Sequence, residues 1–157
     1  MNRVGIGIDV HRFAAGRQCI IGGVAIPHDV GLEGHSDADV LAHAIADALL
    51  GAVALGDIGK YYPPTDMKFK NLDSMVIVRE CAERVRKAGG TINNVDAMII
   101  AQAPKMAPHI PKMQENLGKH LGVAPTQVGV KATTSEHMGF TGRKEGIVVV
   151  AIASVEM

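Results

Sequence analysis

Ile147-Val148-Val149-Val150-Ala151-Ile152, inside the β-rich run Gly146 to Val155, decides the fold. A strand turns alternate side chains to opposite faces, so six apolar residues in succession leave neither face suited to water. Helices can cover one side of the sheet that holds this strand. A chain of 157 residues offers three long helices, too few to cover both sides. The expectation is therefore an α/β (α+β) single domain over residues 1–157. Its mixed β-sheet has helices packed on one face and a subunit interface on the other.

The rest of the chain supplies the partners. Arg3 to Val10 alternates and reads as a strand. Gln18 to Ile21 and Val24 to Ile26 flank Gly22-Gly23 and predict a hairpin. Gly31 to Ser36 lacks periodicity and reads as a mobile loop. From a cap at Asp37 or Ser36, a helix runs to about Ala54, with Val40, Leu41, Ala44, Ile45, Ala48 and Leu49 along one face. Asp57 to Asp73 reads as a loop stiffened by Pro63-Pro64. A second helix runs from Ser74 to Ala88, capped by Asp73 and stopped by Gly89-Gly90. Ile92 to Gln102 is a strand, Pro108 or Ile110 to Leu121 a helix ended by Gly122, and Val128 to Ala132 a strand.

Composition narrows the function. Lys and Arg number 16 and Asp and Glu 16, which disfavours a nucleic-acid reader with a broad basic face and a polybasic membrane binder. The apolar runs Ala48 to Leu55 and Ile147 to Val155 fall short of the ~20 residues of a membrane span. Two isolated cysteines, Cys19 and Cys81, make neither a disulfide framework nor a thiolate zinc site. With no signal-like segment at Met1, the chain reads as cytoplasmic.

Chemistry gathers in a few places. Asp9-Val10-His11 closes the first strand, and positions i and i+2 put carboxylate and imidazole on one face. His43 lies one turn after Asp39 in the next helix. One carboxylate and two imidazoles make a three-ligand zinc set with a fourth position open. Read singly, a strand-end Asp or His such as Asp9 or His11 is more often a solvated loop-edge residue, and His43 serves equally as a hydrogen-bonded core histidine. Lys131-Ala132-Thr133-Thr134-Ser135-Glu136 offers hydroxyls for phosphate oxygens and a carboxylate for a divalent ion, or a simple Ser/Thr turn. Gly139-Phe140-Thr141-Gly142-Arg143 is a phosphate clamp or a loop tip.

In this order, Asp9-Val10-His11, His35-Ser36-Asp37-Ala38-Asp39, His43, Gly56-Asp57-Ile58-Gly59, Ala101-Gln102-Ala103-Pro104-Lys105-Met106 and the two segments just quoted resemble one family along the whole chain. It is that of the 2-C-methyl-D-erythritol 2,4-cyclodiphosphate synthases. The resemblance implies zinc, one per subunit, on Asp9, His11 and His43. It implies magnesium or manganese at the substrate diphosphate, on Glu136. His35 and Ser36 match a mobile loop over the methylerythritol phosphate, and Asp57, Ile58 and Gly59 its hydroxyl contacts. Val10, Tyr62 and Asp66 join the substrate-binding set. Ala101, Gln102, Ala103, Pro104, Lys105, Met106 and Ala107, with Thr133, Thr134 and Ser135, match the cytidine and phosphate pocket. His35 and Thr134 match positions assigned to transition-state stabilisation, and Phe140 and Arg143 a further substrate loop.

The implied reaction closes 4-diphosphocytidyl-2-C-methyl-D-erythritol 2-phosphate into the cyclic diphosphate and releases CMP. The implied assembly is a homotrimer with active sites between subunits, acting on a small cytidine diphosphate substrate and on neither nucleic acid nor membrane. The chain departs from the family's pattern in three places. Pro64 replaces an acidic residue, Ser135 a threonine, and Val150 a glutamate that faces the trimer axis in some relatives. The last change leaves the axial isoprenoid site of those relatives without its carboxylate. Two other readings use the same residues: a zinc-dependent phosphohydrolase of a nucleotide diphosphate, and a non-catalytic trimeric nucleotide- or isoprenoid-binding protein.

Overall fold

The computed structural model describes residues 1–157. The elements are β1 (Asn2–Ala14), β2 (Cys19–Ile21), β3 (Val24–Ile26), β4 (Gly31–Leu32), α1 (Val40–Ala52), α2 (Ile58–Tyr61), α3 (Ser74–Lys87), β5 (Thr91–Ile100), α4 (Ile110–Leu121), β6 (Val128–Thr133), α5 (Gly139–Gly142) and β7 (Gly146–Glu156). Five strands form one sheet in the order β4-β1-β7-β5-β6, parallel only between β5 and β6; β2 and β3 form a separate ribbon.

The strand read first from sequence is central. β7 pairs with β1 from Asn2↔Glu156 to Arg12↔Gly146 and with β5 on its other edge. Its inward residues Ile147, Val149, Ala151, Ala153 and Val155 are buried, with α1 packed on this strand, α3 on β5 and α4 on β6. The opposite face is bare in the single chain. Val4, Ile6, Ile8 and Val10 of β1 are 50–66% exposed, and Ile152 of β7 is 46% exposed. Helices on one face are thus observed, and the other is an apolar surface in want of a cover.

α1 lies closer to the sheet than a helix with ordinary neighbours could. A Cβ built on Gly5 would stand 2.0 Å from the Ala48 carbonyl oxygen, and one on Gly7 1.9 Å from that of Ala44. Glycine in β1 and alanine along α1 therefore let two backbones touch. That contact carries His43 onto the face of β1 that holds Asp9 and His11.

Several boundaries differ from the sequence reading, each for a tertiary reason. β1 does not end at Val10; pairing with β7, and of Phe13 and Ala14 with β4, continues it to Ala14. Asp9 and His11 are therefore mid-strand. Part of the expected mobile loop, Gly31–Leu32, is itself strand β4. The N-cap of α1 is Asp39, not Asp37 or Ser36. Its buried carboxylate accepts from Ala42 N–H and also from Gly22 and Gly23 N–H in the ribbon turn, donors remote in sequence. The 57–73 segment contains α2 and a 3₁₀ turn at Met67–Phe69, and Gly139–Gly142 is the short helix α5.

Candidate active site

Asp9 and His11, two residues apart on β1, point inward to His43 on α1. The Asp9 Oδ2, His11 Nε2 and His43 Nδ1 atoms form a triangle with edges of 2.9, 3.1 and 3.3 Å. Burial alone would raise the Asp9 pKa, but hydrogen bonds with His11 and His43 and their charges bring it down to about 2. Burial pulls His11 the other way, and the hydrogen bond to Asp9 and its charge more than reverse it, so His11 is raised.

The chemistry of these donors fits a metal ion. The Nδ1–H of His11 donates to the Glu33 carbonyl oxygen at 2.6 Å, which leaves Nε2, the nitrogen that meets Asp9, as the one to exchange its proton for a metal ion. Tetrahedral zinc with bonds of 2.0–2.1 Å would set its ligand atoms about 3.3 Å apart, close to the observed edges. One ligand atom from each of the three residues lies within 4.8 Å of the other two. The structure thus brings together the three residues expected to hold the metal.

A cavity of about 230 Å³ opens from this triangle, lined in part by His35, Ser36, Ile58, Gly59 and Tyr62. His35 Nε2 lies 2.9 Å from the Asp66 carbonyl oxygen, and its own carbonyl accepts from Asn71 N–H at 2.8 Å. Arg17 grips the same loop, its guanidinium donating to the Gly34 and Ser36 carbonyls at 3.1 and 2.7 Å. The Asp57 carboxylate caps α2 through Lys60 N–H, and Asp66 caps the 3₁₀ turn through Lys68 N–H. Pro64, Phe69, Leu72 and Ile77 complete the wall, and the Tyr62 hydroxyl bonds to Glu80.

The remaining candidates form a second cluster at the same end of the sheet. Ala101 to Ala107 follow β5, and Thr133 to Glu136 follow or end β6. The Gln102 side chain accepts from His137 N–H at 3.1 Å and ties the two segments. Thr134 Oγ accepts from Glu136 N–H, and the Ser135 and Thr141 hydroxyls bond at 2.7 Å. Thr133, Thr134, Glu136, Phe140, Lys105 and Ala107 are exposed; Ala101 and Met106 are buried, with Gln102, Ala103 and Pro104 between. Arg143 pairs with Glu145 at 2.9 Å.

One chain does not join the two clusters. β1 and β6 are separated by β7 and β5, and three strand spacings amount to about 14 Å. The pleat also sets Asp9 and His11 on the helix side, but Thr133 on the open side with its pairing partner Ile100. Val10, named with the substrate set, likewise turns its side chain to the open face, 50% exposed, where it borders a groove with Phe140.

Two groups at the site escaped the sequence reading. Ser74, expected only as a helix start, has its hydroxyl 2.8 Å from His43 Nε2, and Asp37 bonds that hydroxyl in turn. The signal available was weak: a polar residue at the buried first turn of an amphipathic helix.

Comparison with known proteins gives a consistent result. The YgbB family matches residues 2–156. The 2-C-methyl-D-erythritol 2,4-cyclodiphosphate synthase of Geobacter sulfurreducens is 55% identical over 154 residues, 98% of each chain. The bifunctional IspDF of Campylobacter jejuni superposes with a TM-score of 0.95 at 44% identity, over 99% of this chain and 42% of that one. A Plasmodium falciparum IspF structure, a CDP complex, gives a TM-score of 0.86 at 30% identity, over 98% of this chain and 95% of that one.

Proposed function

Because the chain belongs to the YgbB family, we propose that its Asp9–His11–His43 centre serves the cyclisation of 4-diphosphocytidyl-2-C-methyl-D-erythritol 2-phosphate to the 2,4-cyclodiphosphate. The chain is a phosphorus–oxygen lyase of isoprenoid biosynthesis. The observation that carries the reading is the triangle of ligand atoms at the mouth of a pocket walled by His35, Ser36 and the 57–73 segment.

The substrate's own 2-phosphate attacks its β-phosphorus, the bond to the CMP oxygen breaks, and CMP leaves with that bond's electron pair. No protein nucleophile is needed. The protein must fold the substrate back on itself and hold two anions together, and such positioning can be worth about 7–11 kcal/mol. Asp9, His11 and His43 hold zinc, and Glu136 a magnesium or manganese ion; when bound, these supply Lewis-acid stabilisation of phosphate charge. His35 and Ser36, with Asp57, Ile58, Gly59, Tyr62 and Asp66, enclose the methylerythritol end. Thr133, Thr134 and Ser135 offer hydroxyls to the phosphates, with Thr134 and His35 at the transition state. Ala101 to Ala107 receive the cytidine, and Phe140 and Arg143 border the substrate from α5.

The reading also takes in the assembly. A homotrimer whose subunits meet on the open faces would cover Val4, Ile6, Ile8, Val10 and Ile152, and would set the metal cluster of one copy beside the hydroxyl cluster of the next. The separation of those clusters within one chain and the bare apolar stripe support it. A cytoplasmic setting follows from the small phosphorylated substrate; no helix is long and apolar enough to cross a membrane.

Mass spectrometry of the products, with zinc and magnesium supplied, is the direct test. The expected result is CMP together with the cyclic diphosphate. A linear bisphosphate with CMP would identify a hydrolase, and tight CDP binding with no product would identify a binding protein.

A further inference from the structure

The ring of His43 has two nitrogens, and the residues around it determine which one is free to bind a metal. Nδ1 faces Asp9 and His11; Nε2 faces the Ser74 hydroxyl at 2.8 Å and, more distantly, that of Ser36 at 3.3 Å. A hydroxyl has one proton and can give it only once. The Ser74 proton goes to Asp37 Oδ1, and the other Asp37 oxygen accepts from the backbone N–H of the same Ser74 at 3.0 Å. Asp39 N–H also donates to Asp37 Oδ1, at 3.1 Å. Three donors thus converge on an acceptor-only carboxylate, and Ser74 is left with lone pairs for His43. The Asp9 carboxylate, 3.1 Å from Nδ1, also draws a proton, but on the Nε2 side Ser74 offers the ring only lone pairs; with Nε2–H given to Ser74, Nδ1 of the neutral ring carries the lone pair. Ser74 is wholly buried, and His43 only 6% exposed, so water offers little alternative.

We propose that Ser74 and Asp37 are a positioning pair that selects the His43 tautomer and aims its Nδ1 at the metal. The proposal rests on the metal-centre reading of Asp9, His11 and His43. Ser74 reaches that centre only through the far nitrogen of His43, and Asp37 only through Ser74. Asp37 acts two bonds removed, through a serine 37 positions along the chain. With His11 fixed by the Glu33 carbonyl, both imidazoles are thereby preset before any ion arrives.

Nitrogen-15 NMR of the histidine rings in the metal-free chain at alkaline pH tests this without a substitution. His43 is expected as the Nε2–H form, and a predominant Nδ1–H form overturns the proposal. Ser74→Ala is expected to mix the tautomers and to weaken zinc binding, measured by chelator competition, by about 10–100-fold. Asp37→Asn keeps the shape, yet each orientation of the amide sets its NH₂ against the serine hydroxyl proton or a backbone N–H. It is expected to move both readouts in the same direction as Ser74→Ala. Unchanged tautomer and zinc affinity in folded Ser74→Ala and Asp37→Asn proteins, judged by circular dichroism, would sink the idea. A wild-type chain that takes no zinc would instead defeat the metal-centre reading, and the ring spectra would still decide the pair.

Discussion

The two faces of β1 have different tasks. Inward, Gly5, Gly7, Asp9 and His11 admit α1 and present ligands; outward, Val4, Ile6, Ile8 and Val10 make an exposed apolar stripe. The first face spends its positions on absent side chains and polar atoms, the second on branched hydrocarbon. The contrast sets candidate ligands and an exposed apolar surface in alternate letters of one strand. Each face can therefore be damaged with the other left standing.

Removing a ligand breaks the inner face most severely. His11→Ala or His43→Ala should lower CMP release by about a thousandfold or more, since Lewis-acid stabilisation is worth several kcal/mol. Sedimentation should show the proposed homotrimer unchanged. On the outer face, Ile8→Asp would place a carboxylate in the proposed contact between copies. Self-association should weaken by about a hundredfold or more, while the separated chain keeps its far-UV spectrum and its zinc. Equal loss of zinc in that variant would contradict the independence of the two faces.

A smaller effect is expected at the helix contact. Gly7→Ala puts a methyl where the Ala44 carbonyl oxygen stands, so α1 must shift or β1 bend. The expected cost is about 1–3 kcal/mol in urea unfolding, with weaker zinc binding because His43 moves with α1.

The smallest effect concerns pH. In the metal-free chain, the depressed Asp9 contributes stability above the ordinary carboxylate pKa, lost as pH falls through about 2. The raised His11 contributes below an imidazole's usual value of about 6.5, and that share is lost as pH rises through its folded pKa. Their joint contribution is greatest between about pH 4 and 6.5. Zinc must displace the His11 proton, so its affinity should rise with pH by up to about tenfold per unit until His11 is neutral. Thermal shifts with and without zinc should therefore diverge between mildly acid and mildly alkaline buffer.

What the sequence disclosed follows the range of the forces. The apolar run in β7, the periodic face of α1 and the stops at Gly89 and Gly122 are local signals, and the elements lie where those signals put them. Asp9 and His11 share a face by pleat alone. That His43 meets them, however, depends on α1 resting on Gly5 and Gly7, a contact between elements that periodicity does not encode. The continuation of β1 past Val10 needed β4 and β7 as partners, and the choice of Asp39 as cap needed the Gly22-Gly23 turn. Ser74 and Asp37 were hidden for the same reason: their meaning lies in a hydrogen bond that spans 37 residues.

The alternation in β1 has a consequence for how such a chain can vary. Point substitutions on either face are separable errors, each read by one function. A single inserted or deleted residue between Gly7 and Asp9 is different in kind. It would shift the reading frame of the pleat, turning the carboxylate and imidazole toward the open face and an aliphatic side chain toward His43. Length in this strand should therefore be far less tolerant of drift than composition.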